Sequence, residues 1–237
     1  MDVQQDYRGC KMVDMMKRIA TLSFVSALLA VTLSPAGTAV AGSSPRFLTL
    51  PFPQTSGMRI EDGFLRGAGD VHGGLDYING RVGRPGTWQT FPVIAAAGGR
   101  ACAARSRVAG CGADGISNGI GNRVVIRHRR DGRIWYSYYG HLKNFAPGLA
   151  VGTDTYVTRV RRGQFLGMAG ESGNPNTATH LHFEIDTPNG TPVDPYDVYG
   201  YRSAYPNPRG TNGRDCGNDH LWRTCPPDPP DDTSGIP

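Results

Sequence analysis

Chemistry in this chain is concentrated in its histidines. The stretch Thr179-His180-Leu181-His182-Phe183-Glu184-Ile185-Asp186 alternates without a break. Leu181, Phe183 and Ile185 therefore face one way, and His180, His182, Glu184 and Asp186 face the other, as in a half-buried strand. Two imidazoles then stand on one face, about 6.5–7 Å apart at the backbone. Such a pair can lean inward onto one metal, or supply one ligand and leave a free imidazole beside it. Upstream, Val71-His72-Gly73-Gly74-Leu75-Asp76-Tyr77 sets a histidine and an aspartate four apart. The two glycines between them oppose a helix, so a turn or short extended piece is expected in which both side chains converge. His141, in Tyr139-Gly140-His141-Leu142, falls where a strand ends.

His72, Asp76 and His182 would form a shell of two nitrogens and one oxygen, with a fourth place open to water. That is a catalytic pattern, because structural zinc is closed by four protein ligands. A single carboxylate leaves the site net positive, which helps water ionise near neutral pH and helps an amide oxygen carry developing charge. No His-Glu-x-x-His occurs, which excludes the helical zinc-protease design. Proton transfer then needs other groups, and His141 and His180 are available with an unperturbed pKa of about 6.5. Glu184 lies on the same face, either as a partner behind a ligand or as a solvated or salt-bridged strand residue. His128, among arginines, and His220, in a terminal cysteine loop, are expected at the surface.

Strands must position these groups. The chain has 33 glycines and 18 prolines in 237 residues, as suits short strands and many turns. Strand patterns cover Phe91–Ala97, Arg100–Arg105, Arg123–His128, Ile134–Tyr139, Thr155–Val160 and Gln164–Met168, with a hairpin turn at Asp131-Gly132. Neither a helix of three turns nor an internal repeat is evident. The fold class is all-β, a compact antiparallel, sandwich-like sheet domain.

Val71–Tyr77, Tyr139–Leu142 and His180–Glu184 together resemble the three motifs of the M23 (lysostaphin/LytM-like) zinc endopeptidases. The resemblance extends to Pro92–Gly99, Gly121–Val125 and Val160–Gly173, and so to most of 57–200. It implies a β-rich groove, one Zn2+ held by His72, Asp76 and His182, and His141 and His180 flanking the water. It further implies hydrolysis of peptide crosslinks in bacterial peptidoglycan. Two other readings stay open: a non-catalytic LytM-like regulator of another wall hydrolase, and a zinc protease of Gly-rich secreted proteins. The loop from Ile78 to Phe91 and the cysteine loop 102–111 depart from the family pattern, and both are expected to border the groove.

Residues 1–41 read as a secretion signal peptide. Lys17-Arg18 precede the apolar run Ile19–Leu33, and Ala39-Val40-Ala41 supplies a small-x-small cleavage site. The product would be secreted, extracellular or wall-associated, without stable membrane association. Residues 42–56 read as a linker, and 201–237 as a disulfide-stapled loop with a disordered Pro/Asp-rich tail. Cys102, Cys111, Cys216 and Cys225 form two pairs of equal spacing, unlike the short spacing of zinc sites. Two local disulfides are the simplest reading for an exported chain, with the second expected to matter less. The formal net charge is +5. The folded part is more basic than the tail, where Asp228, Asp231 and Asp232 stand without a base, so attraction to acidic polymers is expected. No basic-aromatic alternation suggests nucleic acid.

Overall fold

The computed structural model describes residues 44–65, 71–108, 110–111, 118–152, 155–173, 178–198, 216–232 and 236. The expected signal segment and the stretch 201–215 lie outside them. Ten strands follow in order: β1 (Met58–Asp62), β2 (Gly74–Asn79), β3 (Pro92–Ile94), β4 (Gly99–Ala104), β5 (Arg123–Arg130), β6 (Arg133–Tyr139), β7 (Thr158–Val160), β8 (Phe165–Met168), β9 (Leu181–Asp186) and β10 (Pro192–Val193). Among the described residues the only helical turns are two of 3-10 type, Pro85–Thr87 and Asn118–Ile120. None is long and apolar enough to cross a membrane.

The large sheet has the order β1-β2-β9-β6-β5-β4-β7, with β10 also on β9, and every pairing is antiparallel. β3 and β8 make a second, two-stranded sheet. The β5–β6 hairpin turns where the sequence suggests: Asp131 (φ 48°) and Gly132 (φ 75°) are both left-handed, the pairing that matches strand twist in a two-residue turn. The seventh strand is shorter than expected, beginning at Thr158 rather than Thr155.

Register carries the alternation of β9 across the sheet. Phe183 opposes Leu75 and Tyr139, and Ile185 opposes Ser137. These positions face the core, where Leu75, Tyr77, Val124, Ile126, Tyr139, Leu181 and Phe183 pack with Val93 and Leu166 of the smaller sheet. Asp76 opposes His182, Tyr138 opposes Glu184, and Tyr136 opposes Asp186. They share the other face. Arg127 of β5 opposes Tyr136, and Arg100 of β4 opposes Arg127.

Three expectations are corrected here. The supposed linker is core: Leu48, Leu50 and Phe52 have no exposed surface. Nor is the second cysteine loop an appendage. Leu221 and Trp222 are fully buried, Leu48 pairs with Trp222, and Phe47 N–H and Leu48 N–H both donate to Leu221 O. The described part of the tail is held as well, with Leu50 N–H donating to Asp228 O. Finally, His128 and His220 are buried, at 0% and 6% exposure. His128 belongs to a core-face chain in which its Nδ1–H donates to Gly98 O and its Nε2 meets Ser137 Oγ, 2.8 Å away. Tyr139 Oη lies 3.2 Å from Ser137 Oγ and accepts from Ala96 N–H. With Nδ1 donating to a carbonyl, a neutral His128 accepts from Ser137, and Tyr139 in turn donates to Ser137.

Cys102 is joined to Cys111 and Cys216 to Cys225, with Cα–Cα distances of 5.4 and 6.1 Å. The first bridge packs with Ile120, Val125 and Tyr138, and Val125 and Tyr138 are on the Glu184 face by register. The Ile78–Thr90 loop closes on itself through an Asn79–Gln89 bridge and a Trp88 Nε1–H bond to Arg81 O.

Candidate metal centre

Glycine brings the first two candidate ligands to the sheet. Gly73 has φ 86°, a left-handed value that suits glycine, and it turns the chain from His72 into β2. Gly74 is needed for closeness: a Cβ there would lie 2.7–2.8 Å from His182 ring atoms and 2.9 Å from Phe183 O. Asp76 follows on β2, directly opposite His182. His72, Asp76 and His182 offer ligand atoms that all lie within 4.8 Å of one another. Asp76 Oδ1 is 3.3 Å from His72 Nε2 and 3.0 Å from His182 Nδ1. A tetrahedral ion with bonds of about 2.0–2.1 Å needs ligand atoms about 3.3 Å apart, so the set fits a small divalent metal.

Hydrogen bonds behind the set fix which nitrogens face it. His72 Nδ1–H donates to Gly63 O at 3.0 Å, which leaves Nε2 as the lone pair toward Asp76. On His182, Nε2 is 3.1 Å from Glu184 Oε2. Glu184 accepts from Nε2–H, and Nδ1 turns to Asp76. Glu184 is thus a partner behind a candidate ligand, one of the two roles its place on the strand allowed.

Electrostatics point the same way. Burial alone would raise the Asp76 carboxyl, but hydrogen bonds and charge from His182 and His72 outweigh it and hold it well below the usual carboxylate range. Burial would lower His182, yet bonds to Asp76 and Glu184 push it up to about 9. Two carboxylates therefore favour positive charge at this spot, whether it is a proton or a metal cation.

His141 and His180 close over the same point. His141 sits just past β6 with φ 58°, a sparsely populated conformation for a non-glycine residue and typical of functional sites. Its N–H is held by Ile120 O and its Nδ1–H by Ser172 O at 2.8 Å. His180 Nδ1–H donates to Ala178 O, also at 2.8 Å, and its Nε2 is 3.9 Å from Asp76 Oδ2. The His141 and His180 rings are 4.4 Å apart between centroids. Burial, with the charge of His180, lowers His141 to about 4, so it is neutral at neutral pH. With each Nδ1–H bound to a carbonyl, both rings keep an Nε2 lone pair, and that of His180 lies beside the His-Asp-His cluster.

All five candidate residues are thus brought together. Sequence reasoning missed the carbonyls of Gly63, Ser172 and Ala178, which set the tautomers and carry no side-chain signal. It also missed Asp186, raised to about 7 by burial and by Glu184, which the alternation alone had placed on this face.

Residues 71–195 match Peptidase family M23, and the chain belongs to that family. No curated protein sequence matches it. Similar solved structures include Csd3 from Helicobacter pylori, 25% identical with TM-score 0.43, covering 68% of this chain and 36% of that one. Lysostaphin, the antimicrobial peptidase from Staphylococcus simulans, is 22% identical with TM-score 0.43, and coverage is 64% and 52%. A mutant catalytic domain of the prophage-encoded M23 protein EnpA from Enterococcus faecalis is 24% identical with TM-score 0.40, and coverage is 66% and 98%. The chain thus spans about a third of Csd3 and half of lysostaphin.

Proposed function

We propose that this chain is a secreted zinc metalloendopeptidase that hydrolyses peptide crosslinks of bacterial peptidoglycan. The observation that carries the reading is the convergence of His72, Asp76 and His182, with His180 Nε2 3.9 Å from Asp76 Oδ2 and the His141 ring beside that of His180. Family M23 is typically zinc-dependent, and the donor set suits zinc. His72 through Nε2, His182 through Nδ1 and an Asp76 oxygen would hold one ion, with a place left open. Zinc bound there supplies Lewis acidity, which acidifies water and polarises the scissile carbonyl.

The remaining chemistry falls to the protein. His141 and His180, each fixed through Nδ1–H, take a proton at Nε2 from the attacking water and return it to the leaving amine. The low pKa of His141 keeps its acceptor form populated at neutral pH. Glu184 holds His182 in the tautomer that presents Nδ1. Two disulfides support an oxidising, extracellular setting.

Digestion of purified peptidoglycan beside a Gly-rich protein, with product masses, tests the reading. We expect new amino termini within the crosslinks, abolished by a chelator and restored by zinc. Intact crosslinks with zinc-loaded chain would instead mark a non-catalytic LytM-like regulator. Cleavage of the Gly-rich protein alone would mark a protease of secreted proteins.

A further inference from the structure

A second charged feature lies on the metal-centre face of the large sheet, toward the other end of the strands. Arg127, Arg100 and Arg159 occupy β5, β4 and β7 in direct lateral register, and all three are exposed. Strands are spaced by about 4.8 Å, so three guanidinium-bearing positions stand in a row roughly 10 Å long. Arg129 is two residues beyond Arg127 and Arg161 two beyond Arg159, and both are exposed. Arg130 and Arg162 join them around an open cavity of about 1310 Å³, whose other lining includes Ile134, Val160, Gln164 and one carboxylate residue, Asp232, but no aromatic side chain or lysine. By strand rise and spacing the row is roughly 15–25 Å from His182.

Like charges directly opposite one another on a sheet are destabilising. Among the described residues no ion pair joins the seven arginines to a carboxylate. Their hydrogen-bond and ring partners are neutral, and Asp131 and Asp231 act on Arg130 and Arg162 only as nearby charges. The Arg127 guanidinium lies 5.2 Å from the Tyr156 ring centroid, Arg100 reaches Val157 O at 3.5 Å, and Arg130 donates to Gly98 O at 3.2 Å. Burial and the neighbouring Arg223 and Arg130 lower the pKa of Arg162, and the opposing charge of Asp231 does not offset them. Such a surface is unfavourable in the free chain and is complemented by an anion.

We infer that this arginine face docks a linear phosphodiester polymer. Guanidinium forks pair with the non-bridging oxygens of successive phosphates. The rings beside the row, Tyr136 and Tyr156, pack against each other and against the Arg127 guanidinium, so recognition rests on charge and chain spacing. A polymer held there runs along the same sheet face as the metal centre, which would retain the protein on a phosphate-bearing surface while leaving the histidines open.

The test uses the full chain and synthetic poly(glycerol phosphate), with binding followed by fluorescence anisotropy over a range of salt. Binding should weaken steeply with salt. R100Q/R127Q/R159Q should lose at least about 10-fold in affinity at 0.1 M salt and flatten the log–log salt slope by about 2, from roughly 0.7 per phosphate contact. R100K/R127K/R159K should keep the slope and bind more weakly than the parent, since it retains charge but not the fork. Melting temperature should stay level or rise in the glutamine variant, because repulsion is relieved. Unchanged affinity and slope in that variant would overturn the inference, as would a marked drop in its melting temperature, which would make the row structural. Tighter binding per charge to polygalacturonate would overturn the phosphodiester assignment, and tighter binding to single-stranded DNA or phosphatidylglycerol vesicles would overturn a base-free polymer as the occupant. Turnover is not read, so the outcome is separate from the peptidase assay.

Discussion

At the scale of single residues, the His-Gly-Gly-Leu-Asp run now has a physical reading. Gly73 supplies the left-handed turn, Gly74 leaves room for the His182 ring, and the period of two sets Asp76 opposite His182. His182 depends in turn on Glu184, the acceptor for its Nε2–H. Removing that acceptor should cost about 10–100-fold in zinc affinity, as for other partners of ligating histidines. Glu184→Ala should show the full loss and Glu184→Gln, whose amide oxygen can still accept, a smaller one. Competition with a zinc chelator measures both, and affinity unchanged from the parent in both variants would remove Glu184 from the metal site. The candidate ligands and both flanking histidines were legible because residue type, alternation and two glycines converge on them. The tautomers were not, since they depend on carbonyls of Gly63, Ser172 and Ala178 that any residue could provide.

At the scale of elements, the strands with clean alternation were legible and the irregular segments were not. Leu48, Leu50 and Phe52 lack a sustained strand pattern among prolines and serine. Their burial is decided by a partner some 170 residues away, through the Leu48–Trp222 pairing. Trp222 also stacks on Phe183 of β9, with ring centroids 6.2 Å apart. The second disulfide therefore closes a loop that completes the core, so its loss is expected to destabilise the fold. Trp222→Ala should destabilise by about 3–5 kcal/mol in urea unfolding, and replacing Cys216 and Cys225 by serine by about 2–3 kcal/mol. Near-zero change in both would restore the appendage reading. His128 was misread for a related reason. Its arginine neighbours suggested an edge, yet β5 is an inner strand and its even-numbered residues face the core. Burial lowers its pKa to about 4, against about 6.5 unfolded. Between those values the unfolded chain binds more protons, so stability falls as pH drops below about 6.5, and the loss is complete near pH 4. The contribution is about 3 kcal/mol. Urea unfolding at pH 7 and pH 4.5 should show this slope in the parent and a shallower one in His128→Gln. An unchanged slope would assign the acid sensitivity to other groups.

For the whole molecule, one sheet face gathers the chemistry and the other the core, and the chain continues on both sides of its family-matching region to finish that core. Family membership and the all-β fold follow from the 71–195 match and the strand order. The central proposal is narrower: of the two histidines in His180-Leu181-His182, His182 holds the metal and His180 moves the proton. Zinc content of dialysed His182→Ala and His180→Ala, measured by mass spectrometry and paired with peptidoglycan turbidity assays, tests it most directly. His182→Ala should lose zinc and activity together. His180→Ala should keep about one zinc per chain while losing about 10²–10⁴-fold in turnover. A metal-free His180→Ala beside a zinc-loaded, active His182→Ala would reverse the two roles and contradict the account.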